Sequence, residues 1–144
     1  MNTKRFEFLK KDYVRGFPAD CGFEVETAGY GYFESRLNIS VKHSQQDGFV
    51  HAGVIATMAD HTGGYAAYTT VSENERILTI EFKINYFKPA IGEFLVCRSR
   101  VINNGKTIKV SESEVFSVTA GQEKLVSKAM VTLIAVPAEN FKTT

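Results

Sequence analysis

The sequence predicts an α+β protein in which an antiparallel sheet of about six strands wraps around one long central helix. The helix is expected at residues 52–70, where few charges interrupt apolar side chains that cover most of the helical circumference. A helix that is apolar nearly all round is a buried one. Two strand-like segments precede it and four consecutive long ones follow it, so the sheet is expected to enclose it.

The part of the chain before the central helix contains three predicted elements. Charged and bulky side chains alternate over residues 2–15, which indicates a short amphipathic N-terminal helix. A stretch with Gly16 and Pro18 then interrupts the pattern. Strands are expected at residues 21–28 and 32–41, joined by a short glycine-containing hairpin turn.

The part of the chain after the central helix is strand-like throughout, beyond a polar loop at residues 72–76. Strands are expected at residues 77–87, 93–102, 106–119 and 123–136. The first of them alternates and predicts one apolar and one polar face, formed by Leu78, Ile80, Phe82, Ile84 and Tyr86 and by Thr79, Glu81, Lys83 and Asn85.

Turn signals separate the last strands. Asn103-Asn104-Gly105 predicts a type I′ hairpin, because Asn-Gly supplies the positive φ angles of that turn. A second hairpin is expected across Ala120-Gly121-Gln122, and the residues from Pro137 onward are expected to be frayed.

Composition limits the class of protein. The chain has 144 residues, 44% hydrophobic and 23% charged, with a net charge of +1. We therefore expect one soluble domain over residues 1–144, with its core at 21–136 and with neither a nucleic-acid nor a membrane partner. Cys21 and Cys97 form no metal or redox motif and no signal peptide is recognisable, so we expect a cytoplasmic protein without a metal site.

Asp60 is the most unusual residue of the central helix, because a carboxylate in an apolar setting is costly unless it is paired. At about 100° per residue, one stripe of the helix carries Asp60 and only small side chains, namely Gly53, Ala56, Thr57, Gly63, Gly64 and Ala67. The other side carries large residues that can anchor the helix to a core, Val54, Ile55, Met58 and Tyr65. The small stripe leaves space for another group to approach Asp60.

Motifs at matching spacing surround this helix. Gln45 and Gly48 precede His51-Ala52-Gly53, and Met58-Ala59-Asp60 follows on the helix. A later strand ends in the aromatic-x-Pro turn Tyr86-Phe87-Lys88-Pro89, and a hairpin contains Asn104-Gly105-Lys106. Together these motifs resemble the PaaI-like acyl-CoA thioesterases of the hotdog-fold (4-hydroxybenzoyl-CoA thioesterase) superfamily. The resemblance covers residues 23–136, and it departs from the family pattern at Ala52 (usually Gly) and Gln45 (usually Asn).

That resemblance implies the hotdog fold and hydrolysis of an acyl-CoA thioester. Asp60 is implied to be either the general base for a water or the direct nucleophile. The N–H of Gly53 lies at the positive end of the helix dipole, where it is expected to stabilise the developing oxyanion. Three residues are supporting candidates: Gln45 for the attacking water or the acyl carbonyl, His51 for the carbonyl or the loop, and Thr79 for placing water.

The resemblance also implies substrate-binding residues and a partner subunit. The candidates near the helix and the acyl group are Gly48, Val50, Ala52, Thr57, Gly64 and Tyr68, and those for the coenzyme A phosphates are Arg98, Arg100 and Lys106. No cofactor is expected beyond coenzyme A as part of the substrate. Gly53 and Asp60 lie about 10 Å apart along the helix, too far to act on one carbonyl within a protomer. The resemblance implies that two subunits build the site together, so we expect a homodimer with shared active sites, doubled to a homotetramer.

Other interpretations compete with this one. Asp60 alone fits a structural acid bonded to backbone or to His61. Gly63-Gly64 fits either close helix–helix packing at a dimer interface or a pocket. Two rival functions share the fold: an acyl-thioester dehydratase or hydratase, and a non-catalytic acyl-CoA-binding module. The spacing of His51 and Asp60 favours the thioesterase, whereas the unusual Gln45 gives weight to the binding module.

Overall fold

The computed structural model describes residues 3–141, and this part of the chain contains three α-helices and six strands. The helices are α1 (Thr3–Tyr13), α2 (Phe17–Cys21) and α3 (Ala52–Tyr68). The strands are β1 (Phe23–Gly29), β2 (Tyr32–Asn38), β3 (Glu75–Tyr86), β4 (Phe94–Asn104), β5 (Ile108–Thr119) and β6 (Gln122–Pro137). Short 3₁₀ turns lie at Val41–His43 and Ala138–Phe141.

One antiparallel sheet contains all six of these strands, in the order β1-β2-β4-β5-β6-β3. The long helix α3 packs against every strand of the sheet, and more closely against β4 and β5 than against any other strand. The predicted α+β fold, with its antiparallel sheet around a central helix, is therefore confirmed. The edge position of β3 places the strand that follows α3 at an open side of the sheet.

The two halves of α3 differ in their surroundings. The helix starts exposed at Ala52 and Gly53, whereas its second half is almost completely buried. Ile55, Met58 and Tyr65 face the core as expected. Gly63, however, is also buried, so the expected open stripe of small residues does not run the length of the helix.

Helix α1 covers the buried half of α3. Leu9 and Tyr13 are fully buried. The Tyr13 carbonyl accepts a hydrogen bond from His61 Nε2 at 2.9 Å, and Tyr65 donates its hydroxyl to Asp12 at 2.7 Å. The expected N-terminal helix is present from Thr3, and residue 2 lies outside the described residues.

The alternation predicted for β3 is wrong at its start, because a bulge lies between Thr79 and Glu81. A bulge adds one unpaired residue, here Ile80, and so reverses the faces of the residues that precede it relative to those that follow. Thr79 pairs with the buried Leu133 and therefore faces α3, on the same side as Phe82. The sequence pattern had placed Thr79 on the opposite face from Phe82.

Several predicted boundaries also differ from the structure. The interruption around Pro18 is the helix α2, which ends at a left-handed Gly22 with φ +93°; proline in a first turn and glycine after a last turn are helix signals. Strand β2 ends at Asn38, three residues before the expected end, and a 3₁₀ turn follows. Pro137 belongs to β6 and is followed by a 3₁₀ turn, and the residues after Phe141 lie outside the described part.

The hairpin turn predicted at Asn104-Gly105 is not of type I′, because Gly105 does not have a positive φ. A side chain at Gly105 would collide with the Ile108 carbonyl oxygen, so close approach of backbone explains this glycine. Positive φ occurs instead in the next hairpin, at Ala120 (51°) and Gly121 (77°). These two residues connect β5 to β6 with the backbone twist that a tight hairpin needs.

Candidate active site

Asp60 and Thr79 form the centre of the candidate site. Asp60 is partly exposed on α3, and its Oδ1 accepts a hydrogen bond from Thr79 Oγ1 at 2.8 Å. The bulge at Ile80 makes this contact possible because it turns Thr79 towards the helix. Both residues line a cavity of about 240 Å³, together with His61, Gly64, Tyr65, Tyr68, Ile77 and Leu133.

Burial favours the neutral form of two other polar groups of this cavity, His61 and Tyr65. Burial lowers the pKa of His61 from its ordinary value, although the Tyr13 carbonyl and the carboxylates of Asp60 and Asp12 act in the opposite direction. Burial also raises the pKa of Tyr65, as does its hydrogen bond to Asp12. An imidazole and a phenol whose neutral forms are favoured by burial therefore stand beside Asp60.

At the N-terminus of α3, His51 is the capping residue. Its Nδ1 accepts a hydrogen bond from the Gly53 N–H at 2.8 Å. A Cβ at Gly53 would lie 3.0 Å from that nitrogen, so the glycine makes room for the imidazole ring. The Gly53 N–H thus has a partner within its own protomer, whereas the sequence predicts that it is free to meet a substrate.

Gln45 closes the loop before α3. Its Oε1 accepts hydrogen bonds from the N–H groups of Asp47 and Phe49, and Gly48 completes the turn with φ +89°. Gln45 also lines a cavity of about 410 Å³ at the start of α3, together with Phe49, Val50, Ala52, Ile55 and residues 86–90. It does not line the cavity that contains Asp60.

The predicted substrate-binding residues are therefore divided between two cavities. Val50 and Ala52 lie in the cavity at the helix start, and Gly64 and Tyr68 lie in the cavity of Asp60. Thr57 donates its hydroxyl to the Gly53 carbonyl of its own helix at 2.8 Å. Within a protomer the structure does not bring these residues into one pocket.

The basic residues predicted from the sequence are not near Asp60. Arg98 and Arg100 alternate on β4 with the buried Cys97 and Ser99 and so face away from α3. Arg98 is paired with Glu123 by two hydrogen bonds of 2.9 and 2.6 Å. Lys106 is exposed in the hairpin between β4 and β5.

A different pair of lysines was missed by the sequence analysis. Lys88 and Lys124 line a cavity of about 590 Å³, which shares Phe49, Lys88 and Pro89 with the cavity at the helix start. Lys88 belongs to the aromatic-x-Pro motif, which carries part of the family resemblance but does not by itself indicate a binding residue. Lys124 carries no sequence signal, because the pairing of β5 with β6 alone places it there.

Two further properties follow from residues 3–141. None of the helices in this range is long and apolar enough to cross a membrane. The same residues contain no group of three His, Cys, Asp or Glu side chains arranged to hold a metal ion.

Comparisons with known proteins agree with this fold. The sequence profile of the thioesterase superfamily matches residues 47–124. A solved structure from Silicibacter pomeroyi, described as a thioesterase family protein, is 30% identical, with a TM-score of 0.88 over 92% of this chain and 99% of that one. A Saccharolobus solfataricus protein whose name describes it as an esterase is 29% identical over 95% of this chain and 87% of its own length. The 1,4-dihydroxy-2-naphthoyl-CoA hydrolase of Listeria monocytogenes is 23% identical over 82% of this chain and 94% of its own.

The chain belongs to the thioesterase superfamily and has its hotdog fold. It is a thioester hydrolase. The resemblance found in the sequence is confirmed at the level of this superfamily.

Proposed function

We propose that the protein hydrolyses acyl-CoA thioesters, with Asp60 activating a water or attacking the carbonyl directly. The observation that carries this proposal is the partly exposed Asp60 carboxylate, which lines a cavity and is oriented by Thr79 at 2.8 Å. A positioned carboxylate can take a proton from water or act as a nucleophile towards a thioester. The acyl group occupies the cavity between α3 and β3, and the thiol leaves as free coenzyme A.

The start of α3 polarises the carbonyl in this proposal. Its first N–H groups lie at the positive end of the helix dipole, and Gly53 has no side chain to block approach. The substrate oxygen would replace His51 Nδ1 as the acceptor of the Gly53 N–H, which requires the exposed imidazole to rotate. While Nδ1 accepts that hydrogen bond, the ring proton lies on Nε2, so the ring offers a second N–H donor at the same helix end.

The active site is shared between two subunits in this proposal. Gly53 and Asp60 lie about 10 Å apart along α3, and Gly53 does not line the cavity that contains Asp60. An isologous dimer about a two-fold axis, with the two α3 helices antiparallel, brings Gly53 of each chain towards Asp60 of the other. This arrangement supplies both groups to one carbonyl.

The exposed edge of the sheet supports that dimer. Strand β3 is last in the strand order, and its large apolar side chains Leu78, Ile80, Phe82 and Tyr86 are exposed in the isolated chain. A long apolar edge strand is a site for pairing with another chain. We propose that β3 meets its copy in the homodimer, and that two dimers form the homotetramer implied by the family resemblance.

The coenzyme A phosphates bind at Lys88 and Lys124 in this proposal, rather than at Arg98. Among the described residues neither lysine forms an ion pair, whereas Glu123 already neutralises Arg98. The two lysines line the large cavity that adjoins the start of α3, where the thioester carbonyl would be held. Two lysines that form no ion pair among the described residues, in a cavity next to the proposed position of the carbonyl, suit the negative charge of the phosphates.

The test is thiol release from a panel of acyl-CoAs by the wild type, Asp60→Asn and Lys124→Ala. We expect wild-type hydrolysis, a loss of at least about a hundredfold in kcat for Asp60→Asn, and a raised KM for Lys124→Ala. Folding and oligomeric state are measured for each protein. Binding of acyl-CoA by the wild type without any thiol release would instead favour the acyl-CoA-binding module.

A further inference from the structure

Beneath the turn of α3 that carries Asp60, the sheet presents hydroxyl groups where a core ordinarily holds apolar side chains. The side chains concerned are fully buried, and they are Ser35, Ser99, Ser111 and Ser113 of the sheet together with Thr62 of α3. A buried hydroxyl is destabilising unless it is hydrogen-bonded. The hydrogen-bond partners of these hydroxyls therefore show the structural role of the buried serines and Thr62.

Two of the serines bond directly to the backbone of α3. Ser113 Oγ donates to the Ala59 carbonyl at 2.7 Å, and Ser111 Oγ donates to the Gly63 carbonyl at 2.8 Å. These carbonyls belong to the residue before Asp60 and to the residue three positions after it. Both serines lie on the central strand β5, so two bonds from one strand fix the helical turn that contains Asp60.

A third attachment lies on the same turn. Thr62 Oγ1 is 2.8 Å from Tyr13 Oη and 2.8 Å from Ser35 Oγ. Strand β2 and helix α1 therefore hold α3 from the sides that β5 does not reach. Rotation of α3 about its axis in either direction would therefore break some of these hydrogen bonds.

The hydroxyl that reaches Ala59 is itself supported by a directed chain of hydrogen bonds. A carbonyl only accepts, so the single proton of Ser113 goes to Ala59, and Ser113 accepts from Ser99 at 2.6 Å. Ser99 in turn lies 3.6 Å from Cys97 Sγ. Burial raises the pKa of the Cys97 thiol to about 11, so it keeps its proton and can donate. Such a chain polarises and strengthens its last bond.

Gly63 allows the close contact on which these bonds depend. A Cβ at Gly63 would lie 3.1 Å from Ser113 Oγ and 3.2 Å from Val131 Cγ2. The absence of a side chain lets the helix lie close enough to β5 for the serines to reach its carbonyls. The contact agrees with neither sequence interpretation of Gly63, helix–helix packing at a dimer interface or a pocket, because the residue faces the sheet of its own chain.

We infer that Ser113 and Ser111 are positioning residues, which fix the height and rotation of α3 and thereby hold the Asp60 carboxylate at Thr79. This inference rests on the proposed role of Asp60. Thr79 lies on the edge strand β3, and the serines lie on β5, so Asp60 is held between two separate strands. Displacement of a reacting group by about 1 Å can cost a hundredfold in rate, so a small shift of the helix has a large effect.

The test compares Ser113→Ala with the matched control Ser127→Ala. Ser127 is equally buried and also donates to a backbone carbonyl, that of Asn85 at 2.8 Å, but this carbonyl belongs to β3 and not to α3. We expect both variants to lose thermal stability. Only Ser113→Ala should lose about tenfold in kcat, with KM changed by less than about twofold.

Further readouts separate positioning from general destabilisation. Ser113→Cys, which keeps a weak donor of similar size, should recover part of kcat, and Ser111→Ala should show a smaller loss. In a double-mutant cycle with Thr79→Val, the effect of Ser113→Ala on kcat should be non-additive, because both changes act on one carboxylate. The effect of Ser127→Ala should add.

Backbone amide hydrogen exchange over residues 59–63 gives a result that needs no substrate. Exchange should be faster in Ser113→Ala than in Ser127→Ala. Equal kcat and equal exchange in the two variants would overturn the positioning role while leaving the thioesterase intact. A wild type without thiol release, combined with faster exchange in Ser113→Ala, would reject the proposed function, and then the serines hold the helix for some other purpose.

Discussion

The two halves of α3 offer a contrast between an exposed and an immobilised end of one helix. At the first end, Gly53 and its cap His51 are exposed, and a single hydrogen bond joins them. Around Asp60, the helix is fastened to β5, β2 and α1 by buried hydroxyls. The proposed chemistry needs both ends, one adaptable enough to exchange His51 for a substrate and one rigid enough to aim a carboxylate.

Mixed dimers test most directly whether the exposed end of α3 in one subunit and the immobilised end in the other act in one site. Asp60→Asn removes the carboxylate, and Gly53→Pro removes the N–H at a first-turn position that tolerates proline. Each variant alone should be inactive. Co-refolded at equal amounts, they should regain about a quarter of the wild-type activity, because half of the dimers are mixed and each mixed dimer has one intact shared site.

The measurement is thiol release from the mixture against each variant refolded alone. Capture of one variant through an affinity tag that only the other variant carries serves as the control for exchange of subunits. Mixtures that stay inactive while the control shows exchange would mean that each site belongs to a single protomer.

Removal of the Thr79 hydroxyl tests whether catalysis depends on the fixed position of Asp60 at the immobilised end of α3. Thr79→Val keeps the shape of the side chain and deletes the donor to Asp60 Oδ1. We expect kcat to fall about tenfold, since hydrogen bonds to charged groups are stronger than neutral ones. Thr79→Ser should stay close to the wild type in the same thiol-release assay, and equal losses in both variants would assign the effect to packing.

The smallest expected effect concerns the pH dependence of stability at the buried half. Burial lowers the pKa of His61 below its ordinary value of 6.5, against the opposing effects of the Tyr13 carbonyl, Asp60 and Asp12. Just below about pH 6.5, the unfolded chain therefore binds more protons than the folded chain. The contribution of His61 to the free energy of unfolding is complete above that pH, and it is lost as the pH falls through that value towards the folded pKa.

Thermal unfolding of the wild type and His61→Gln checks this prediction. The glutamine variant lacks the titrating group, so the gap in Tm between the two proteins should be larger at pH 7.5 than at pH 5. A gap that does not change with pH would show that burial does not control the titration of His61.

The fold could be read from the sequence because long periodic segments dominate it. The apolar circumference of α3 and the alternation of the late strands fix their types, and the motif around His51 fixes the family. The orientation of Thr79 could not be read, because the bulge at Ile80 has no glycine or other local signal. The serines of β5 were overlooked for a related reason: an alternating strand does not show whether its small polar residues lie against a helix or against water.

The basic residues show a further limit of sequence reasoning. Arg98 looks like a phosphate ligand in the sequence, and its actual partner Glu123 lies 25 positions away on β6, which β5 separates from β4. Lys124 becomes interesting only when the hairpin of β5 and β6 places it in a cavity. Charge identifies the candidate phosphate-binding residues, and strand register decides which of them already have an acidic partner.

The bulge at Ile80 has a consequence for how this protein can change in evolution. Loss of this one codon would restore regular pairing between β3 and β6, and every side chain before the deletion would then change faces relative to those after it. Most of the fold would keep its sequence, but Thr79 and the exposed face of the edge strand could no longer keep their present relation. A single deletion could therefore alter both the surroundings of Asp60 and the surface presented to another subunit, in a step that no substitution reproduces.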